Sequence, residues 1–294
     1  MTLRFSDLSG SGHLFVGGTN FRRLYADVAG ALLDQEPFNA GKWQAVDVSD
    51  SQAHDTYELL NTTLWLDIPE NQHELENMIE PDMPWSEGHF QERVAGKPVN
   101  PGDWHHRWPY HGNSEALHQR DDQKRYDHNY MERFWASKLV REVRPPNGFP
   151  GHVEDFKGYR FAVGDLQDVV DLLKREPLTR QAFLPVWFPE DTGATAGQRV
   201  PCTLGYHFII RESKLNVVYY LRSCEIYRHF KNDVYMAMRL GQWVRDRVFN
   251  LRANRELSMN APEMGTLTMH ITSLHGFVGD TRHIEDIEDS APDV

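Results

Sequence analysis

Two adjacent runs of β-branched and aromatic residues constrain the fold of this chain more than any other feature. Thr203–Ile210 and Leu215–Leu221 both have the composition of β-strands. The residues between them, Arg211–Lys214, suffice only for a turn, so the two runs are predicted to pair as an antiparallel hairpin. Any fold proposed for this chain must place a β-sheet around this hairpin.

Helical patterns precede and follow the hairpin. Apolar residues recur at helical spacing over 20–34, 165–176 and 233–249, which predicts three amphipathic helices. A further strand is predicted over 265–277. Residues 69–158 hold many Pro, Trp and His residues and show little periodicity, which is typical of long loops around a site. Because the chain has neither an internal repeat nor a long linker, these elements indicate a single α+β domain.

The two ends of the chain differ in composition from the rest. Residues 1–19 contain a Ser-Gly-Ser-Gly stretch and a Gly-Gly pair but lack the Lys-Ser/Thr of a P-loop, so a flexible terminus is predicted. Residues 280–294 are rich in Asp and Glu, which predicts a solvated, flexible tail. The folded domain is therefore predicted to span 1–279.

Charge and composition exclude several classes of function. The net charge of −12 opposes binding to a nucleic-acid polymer, which requires clustered Lys and Arg. No run approaches the ~18 apolar residues of a membrane span, and residues 1–13 lack a secretory signal, so no membrane partner and a cytoplasmic location are expected. The fifteen histidines, including His105-His106, lack the ligand spacing of a zinc site, and no metal is predicted.

One constellation carries chemistry. Cys202 follows a proline at the start of the first hairpin strand, and the second strand ends in Arg222 and Ser223. A nearby guanidinium stabilises a thiolate and also binds phosphate. A nucleophile beside an anion site indicates covalent catalysis on a phosphorylated substrate. On composition alone, an inert cysteine in a sheet is the more common alternative.

The spacing of these residues resembles a known pattern. Trp187 follows Arg180 by seven residues, and Arg222 follows Cys202 by twenty. Over 165–250 the chain resembles the thymidylate synthases and the pyrimidine nucleotide hydroxymethylases. The resemblance implies that Cys202 adds to C6 of the pyrimidine, that Arg222 and Ser223 bind its phosphate, and that Arg180 is donated by the other subunit of a homodimer.

Further site residues follow from the same resemblance. Asp233 stands where most of the family has an asparagine that reads the base. An aspartate there implies cytosine as the base, because a carboxylate can accept a hydrogen bond from the N4 amino group of cytosine. If the register shifts by one, Asn232 takes this place and uracil is favoured. His207 replaces a family glutamine. His275 resembles the histidine of the sugar-binding motif, although Phe277 lacks the family's hydroxyl and a core histidine is the alternative.

The upstream residues resemble the family less closely. Glu87 resembles the catalytic glutamate that organises water and moves protons, with an ordinary helix-surface residue as the alternative. Trp104 and Trp108 resemble the tryptophan pair near the folate. The cofactor implied is 5,10-methylenetetrahydrofolate.

Together these features lead to a specific hypothesis. The resemblance implies a thymidylate synthase-like α+β domain, with a mixed β-sheet flanked by helices and packed against a second sheet at a homodimer interface. The activity implied is folate-dependent C5 hydroxymethylation of a cytidine nucleoside monophosphate, dCMP or CMP, by a deoxycytidylate 5-hydroxymethyltransferase-like enzyme. A methyl product, as made by a methyltransferase, is equally compatible with the resemblance. The alternatives are a dUMP-directed methylase or hydroxymethylase and a catalytically silent nucleotide-binding relative.

Overall fold

The computed structural model describes residues 5–6, 14–43, 46–110, 125–138, 140–143, 156–159, 164–189, 191–192, 199–249 and 261–291. The described helices are α1 (Phe21–Leu33), α2 (Gln72–Ile79), α3 (Trp85–Arg93), α4 (Tyr130–Phe134), α5 (Leu166–Arg175), α6 (Phe230–Phe249) and α7 (Thr281–Asp289). The described strands are β1 (Phe5–Ser6), β2 (Leu14–Gly18), β3 (Lys42–Trp43), β4 (Val46–Asp47), β5 (Thr56–Asp67), β6 (Val140–Val143), β7 (Phe156–Tyr159), β8 (Phe183–Pro185), β9 (Thr203–Arg211), β10 (Lys214–Glu225) and β11 (Glu263–Phe277).

A seven-stranded mixed sheet organises the molecule, in the order β1-β2-β5-β11-β10-β9-β8. The β2–β5 and β10–β11 pairs are parallel, and the other pairs are antiparallel. Strands β3 and β4, and strands β6 and β7, form two small separate ladders. The predicted α+β class, with a mixed sheet flanked by helices, is confirmed.

The predicted hairpin forms from β9 and β10. Its turn residues Glu212 and Ser213 have φ angles of 51° and 56°. Two consecutive residues in the left-handed region give the backbone twist that matches a β-hairpin. The ladder changes register between Tyr220 and Leu221, close to the start of β9. Such irregularities are common beside active sites because they redirect a side chain.

One face of the sheet is packed against helices. Leu215, Val217 and Tyr219 alternate along β10 and are almost fully buried. Helix α6 approaches this face closely, since a Cβ at Gly241 would lie 2.7 Å from Cγ2 of Val217. Burial of this apolar surface stabilises the fold by roughly 25 cal/mol per Å² removed from water.

The opposite face of the sheet is open in this chain. Its large apolar side chains include Phe15, Trp65 and Phe183, whose exposures are 51%, 38% and 41%. Such a patch on one sheet face is typical of an interaction surface.

The predicted helices are confirmed with small changes at their ends. Asn20 accepts from the backbone N of Arg23 and caps α1. Asp165 and Asp168 form a capping box at the start of α5, which explains why that helix begins there. None of the described helices is long and apolar enough to cross a bilayer.

Three regions differ from the sequence-based expectation. Residues 14–18, expected in a flexible terminus, form β2, because Leu14 and Val16 alternate into the core. Residues 281–289, expected in the acidic tail 280–294, form α7, because the Ile284 side chain is fully buried in the hydrophobic core. The supposed loop region 69–158 contains α2, α3 and α4.

Candidate active site

Cys202 lies immediately before β9, and Arg222 on β10 braces the loop that leads into it. The Arg222 guanidinium donates to the carbonyls of Pro201 at 2.8 Å and Val200 at 3.1 Å. The backbone N of Arg222 donates to the Cys202 carbonyl at 2.9 Å, and its Nη2 lies 3.8 Å from the Cys202 Sγ. The sequence spacing of twenty residues thus corresponds to direct contact across two neighbouring strands.

The Cys202 thiol is reachable by solvent but is closely surrounded by protein on its other sides. This burial raises its pKa above the usual value. The charges of Arg222 and Arg199 lower the pKa, whereas the nearby Asp233 raises it further. The expectation that guanidinium groups favour the thiolate is correct for the sign of their effect, but it is wrong for the net shift because burial outweighs them.

Asp233 and Asn232 at the start of α6 have clearly different surroundings. The Asn232 side chain accepts from the backbone N of Asp82 at 3.0 Å and from Ser86 Oγ at 2.7 Å, and it donates to Asp82 Oδ2 at 2.8 Å. Asn232 is therefore committed to holding the segment before α3. The Asp233 carboxylate instead accepts from Cys224 Sγ at 3.6 Å.

The ionisation of Asp233 reflects its position. Burial raises the pKa of Asp233 to about 6, and the positive charge of Arg93 and the Cys224 hydrogen bond oppose this shift. The carboxylate also acts on the pKa of Cys202. At neutral pH the site therefore contains a carboxylate that is predominantly ionised and close to the cysteine.

Ser223 and His275 are brought together by the parallel pairing of β10 with β11. Ser223 Oγ lies 3.4 Å from His275 Nδ1. Burial lowers the pKa of His275 to about 4, and the charge of Arg222 contributes in the same direction. His275 is thus neutral at physiological pH, so its ring can donate from one nitrogen and accept at the other.

Residues 122–242 match the family model described as thymidylate synthase. Among solved structures, thermostable thymidylate synthase A from Bacillus subtilis is similar with a TM-score of 0.58 at 16% identity, covering 93% of this chain and 84% of that chain. Thymidylate synthase from T4 phage is similar with a TM-score of 0.56 at 14% identity, covering 92% of this chain and 80% of that chain. The resemblance to the thymidylate synthase family is confirmed.

The matched segment includes Arg180, Cys202, Arg222 and Asp233. The thymidylate synthase family comprises one-carbon transferases that act at C5 of a pyrimidine nucleotide and use methylenetetrahydrofolate. This family relation supports a one-carbon transferase. It does not distinguish cytosine from uracil as the base, or a methyl from a hydroxymethyl product.

Glu87 lies outside the matched segment and has partners of its own. Arg239 donates to both of its carboxylate oxygens, at 2.9 and 3.1 Å, and the Tyr235 hydroxyl donates at 2.7 Å. Burial raises the pKa of Glu87, but the bonds and charge of Arg239 outweigh it, so the pKa is lowered overall. The described contacts of Glu87 join α3 to α6 and do not bring it to Cys202.

An aromatic wall lies beside the start of α6. The Trp85 Nε1 donates to the Trp104 carbonyl at 2.9 Å, and Trp104 packs so closely on α3 that a Cβ at Gly88 would lie 2.1 Å from its ring. Trp108 stacks on His229 with centroids 4.8 Å apart. The buried Trp108 Nε1 has no hydrogen-bond partner within the described ranges. A flat aromatic surface with a free donor fits the pterin ring of a folate.

Arg180 and His207 lie together at the β8–β9 edge of the sheet. His207 Nε2 lies 3.0 Å from the Arg180 carbonyl, and the His207 ring contacts Phe183 on the open face. The Arg180 side chain is exposed. No described contact within the chain joins either residue to Cys202.

Three residues near Cys202 were not predicted from the sequence. Arg93 and Tyr130 come from α3 and α4, and Arg199 precedes Cys202 by three residues. Arg199 had a usable signal in its position beside the nucleophile, whereas Arg93 had none. Among the described residues, no cluster of three His, Cys, Asp or Glu side chains has the arrangement of a metal site.

Proposed function

We propose that this protein is a folate-dependent enzyme that hydroxymethylates C5 of a cytidine nucleoside monophosphate, dCMP or CMP. The observation that carries the proposal is the contrast at the start of α6. The Asn232 side chain is bonded to Asp82 and Ser86, whereas the Asp233 carboxylate accepts from Cys224 Sγ and raises the pKa of Cys202. An ionised carboxylate accepts from the N4 amino group of cytosine, whereas uracil offers an oxygen at that position.

Cys202 is the proposed nucleophile. Its thiol loses a proton and its sulfur bonds to C6 of the pyrimidine, which makes C5 a nucleophile. The raised pKa of Cys202 makes this proton loss costly in the free protein. The Arg222 guanidinium, 3.8 Å from the sulfur, favours the thiolate. Because a bound phosphate would partly neutralise Arg222, a general base must also take the thiol proton.

A bound methylenetetrahydrofolate would supply C5 with a carbon at the oxidation level of formaldehyde and would leave as tetrahydrofolate, so that addition of water would give a hydroxymethyl group without a redox step. Trp104 and Trp108 are proposed to hold the folate. The proton on C5 must leave to a base before the sulfur–C6 bond breaks. Glu87 is proposed to act on the water and protons of this stage, although it would have to leave Arg239 to do so.

The phosphate and sugar are proposed to lie at the ends of β10 and β11. Arg222 and Arg199 supply positive charge close to Cys202. Ser223 supplies a hydroxyl beside His275, which is proposed to bind the sugar. Arg199 adds a positive charge that was not among the site residues implied by the family resemblance. His207 is proposed to support this edge through the carbonyl of Arg180.

A homodimer is proposed to complete the site. Thymidylate synthase-family enzymes are typically dimeric, and the open sheet face here exposes Phe15, Trp65 and Phe183. Packing two such faces together would bury this surface. It would also let Arg180 of the partner subunit reach the phosphate.

The test is product analysis by mass spectrometry. The protein is incubated with methylenetetrahydrofolate and equal amounts of dCMP, CMP and dUMP, beside Cys202→Ala and Asp233→Asn variants. Hydroxymethylated cytosine nucleotide, absent with Cys202→Ala, is the expected result. Product from dUMP alone would refute the cytosine assignment. Nucleotide binding without product would identify a catalytically silent relative.

A further inference from the structure

Glu58, on β5, is a half-buried carboxylate to which the proposed function gives no role. The hydroxyl of Ser273, on β11, donates to its Oε1. In the described part of the chain, no residue donates a hydrogen bond to its second oxygen, Oε2, or forms an ion pair with it. An ionised carboxylate has several acceptor positions, so Glu58 can still accept a hydrogen bond from a ligand.

The pairing of the strands places Glu58 beside His275. Strands β5 and β11 are antiparallel, and their register sets His275 directly opposite Glu58. Side chains at such opposite positions lie on the same face of a sheet, with their Cβ atoms about 5 Å apart. Ser273, two residues before His275, shares this face, in agreement with its hydrogen bond to Glu58.

A polar row runs across three neighbouring strands on this face. Ser223 Oγ on β10 lies 3.4 Å from His275 Nδ1 on β11, and Glu58 on β5 follows on the other side of His275. Arg222, the residue before Ser223, has its Nη2 3.8 Å from the Sγ of Cys202. The row therefore begins next to the proposed nucleophile and ends at Glu58.

Phe277 cannot supply a second polar contact to the sugar. It stands two residues after His275, where the family pattern has a hydroxyl. Its ring contacts Trp43 and His54, with centroids 5.7 and 5.9 Å away, and meets the His275 ring edge-on at 5.6 Å. Within the polar row, Glu58 is the side chain that offers an anionic acceptor in its place.

We infer that Glu58 is a specificity-determining residue that accepts a hydrogen bond from the ribose 2′-hydroxyl, so that the protein prefers CMP to dCMP. The inference rests on the proposed function, in which His275 binds the sugar. The 2′- and 3′-hydroxyls of ribose are neighbours on one face of the ring, and the adjacent His275 and Glu58 offer two neighbouring polar partners. Carboxylates also bind ribose hydroxyls in dinucleotide-binding folds. Deoxyribose would cover Oε2 without giving it a donor, which is unfavourable.

The test removes the hydroxyl from the ligand and the carboxylate from the protein. Isothermal titration calorimetry measures the affinity of full-length wild type, Glu58→Gln and Glu58→Ala for CMP and dCMP. Wild type is expected to bind CMP roughly 10- to 100-fold more tightly than dCMP, as for a hydrogen bond to a charged group. Glu58→Ala is expected to bind the two ligands with similar affinity. Glu58→Gln keeps a neutral oxygen acceptor and is expected to retain part of the preference.

Two controls separate a contact with the 2′-hydroxyl from a structural effect. Asp67→Asn removes an exposed carboxylate from the end of the same strand and is expected to leave both affinities unchanged. The ligand 3′-deoxy-CMP keeps the 2′-hydroxyl, so Glu58→Ala is expected to weaken its binding by the same factor as that of CMP. Far-ultraviolet circular dichroism verifies that each variant is folded.

The proposed function and the role of Glu58 fail in different ways. If folded wild type binds no nucleotide, both fail. If it prefers UMP or dUMP, the cytosine assignment fails, and UMP with dUMP then tests Glu58 in the same way, because a sugar contact does not depend on the base. If wild type binds CMP and dCMP equally, or if Glu58→Ala weakens both by the same factor, only the role of Glu58 is refuted.

Discussion

Replacing Asp233 with Asn is expected to stabilise the protein at neutral pH. Burial holds the pKa of Asp233 at about 6, whereas an Asp in an unfolded chain titrates near 3.8. At about 1.4 kcal/mol per pH unit, this difference costs the folded state about 3 kcal/mol once the group is ionised in both states. Because the Asp233 side chain is only partly shielded from solvent, we expect the Asn variant to gain about 2 kcal/mol in free energy of unfolding.

The pH dependence gives this prediction its sign. Between pH 4 and 6 the folded protein binds a proton on Asp233 that the unfolded chain has released. The stability of the wild type therefore falls, relative to the variant, as the pH rises through 6. The free energies of unfolding of wild type and Asp233→Asn should be similar near pH 4 and should diverge up to pH 7.

The assay is urea denaturation followed by tryptophan fluorescence at several pH values from 4 to 8. Glu87→Gln is the matched control, because it removes the same charge from a carboxylate whose pKa is lowered. Loss of the Arg239 pair should destabilise that variant by about 3 kcal/mol at pH 7, and the effect should shrink as the pH falls below 4.5. A destabilised Asp233→Asn, or a difference from wild type that does not depend on pH, would refute the reasoning.

Three further predictions concern single side chains. Arg199→Met should raise the pKa of Cys202 and slow alkylation by iodoacetamide at pH 8 about threefold, since it removes a charge that favours the thiolate; an unchanged rate would contradict this. Ile284→Ala should cost about 2–4 kcal/mol in urea unfolding because the side chain is fully buried, whereas a flexible tail would show no loss. Ser213→Gly should raise stability by about 0.5 kcal/mol, since glycine relieves the φ of 56°; a lower urea midpoint would count against it.

The parts of the fold with local signals were predictable from the sequence. The hairpin was predictable from a short turn between two strand-like runs. Helix α5 was predictable from Asp165 at its start and the apolar residues at helical spacing that follow. Ile284 was hidden because acidic neighbours dominate its segment, although Ile287 repeats at helical spacing. Strand β2 was hidden in the same way by its glycines.

The site was predictable only in part. The family spacing located Cys202 and Arg222, and the structure places them in contact. The choice between Asn232 and Asp233 depends on Asp82 and Ser86, about 150 residues earlier in the chain, so no local pattern could make it.

The order of the strands also determines how the chain can fold. Strand β11 is the last strand in the sequence, yet it lies in the interior of the sheet between β5 and β10. Until it inserts, β5 and β10 are two unpaired edges, and such edges favour aggregation. The contact of Ser223 with His275 also forms only at that step. A partially folded chain is therefore expected to lack the Ser223–His275 end of the candidate site, and completion of the sheet and assembly of the site become one cooperative event.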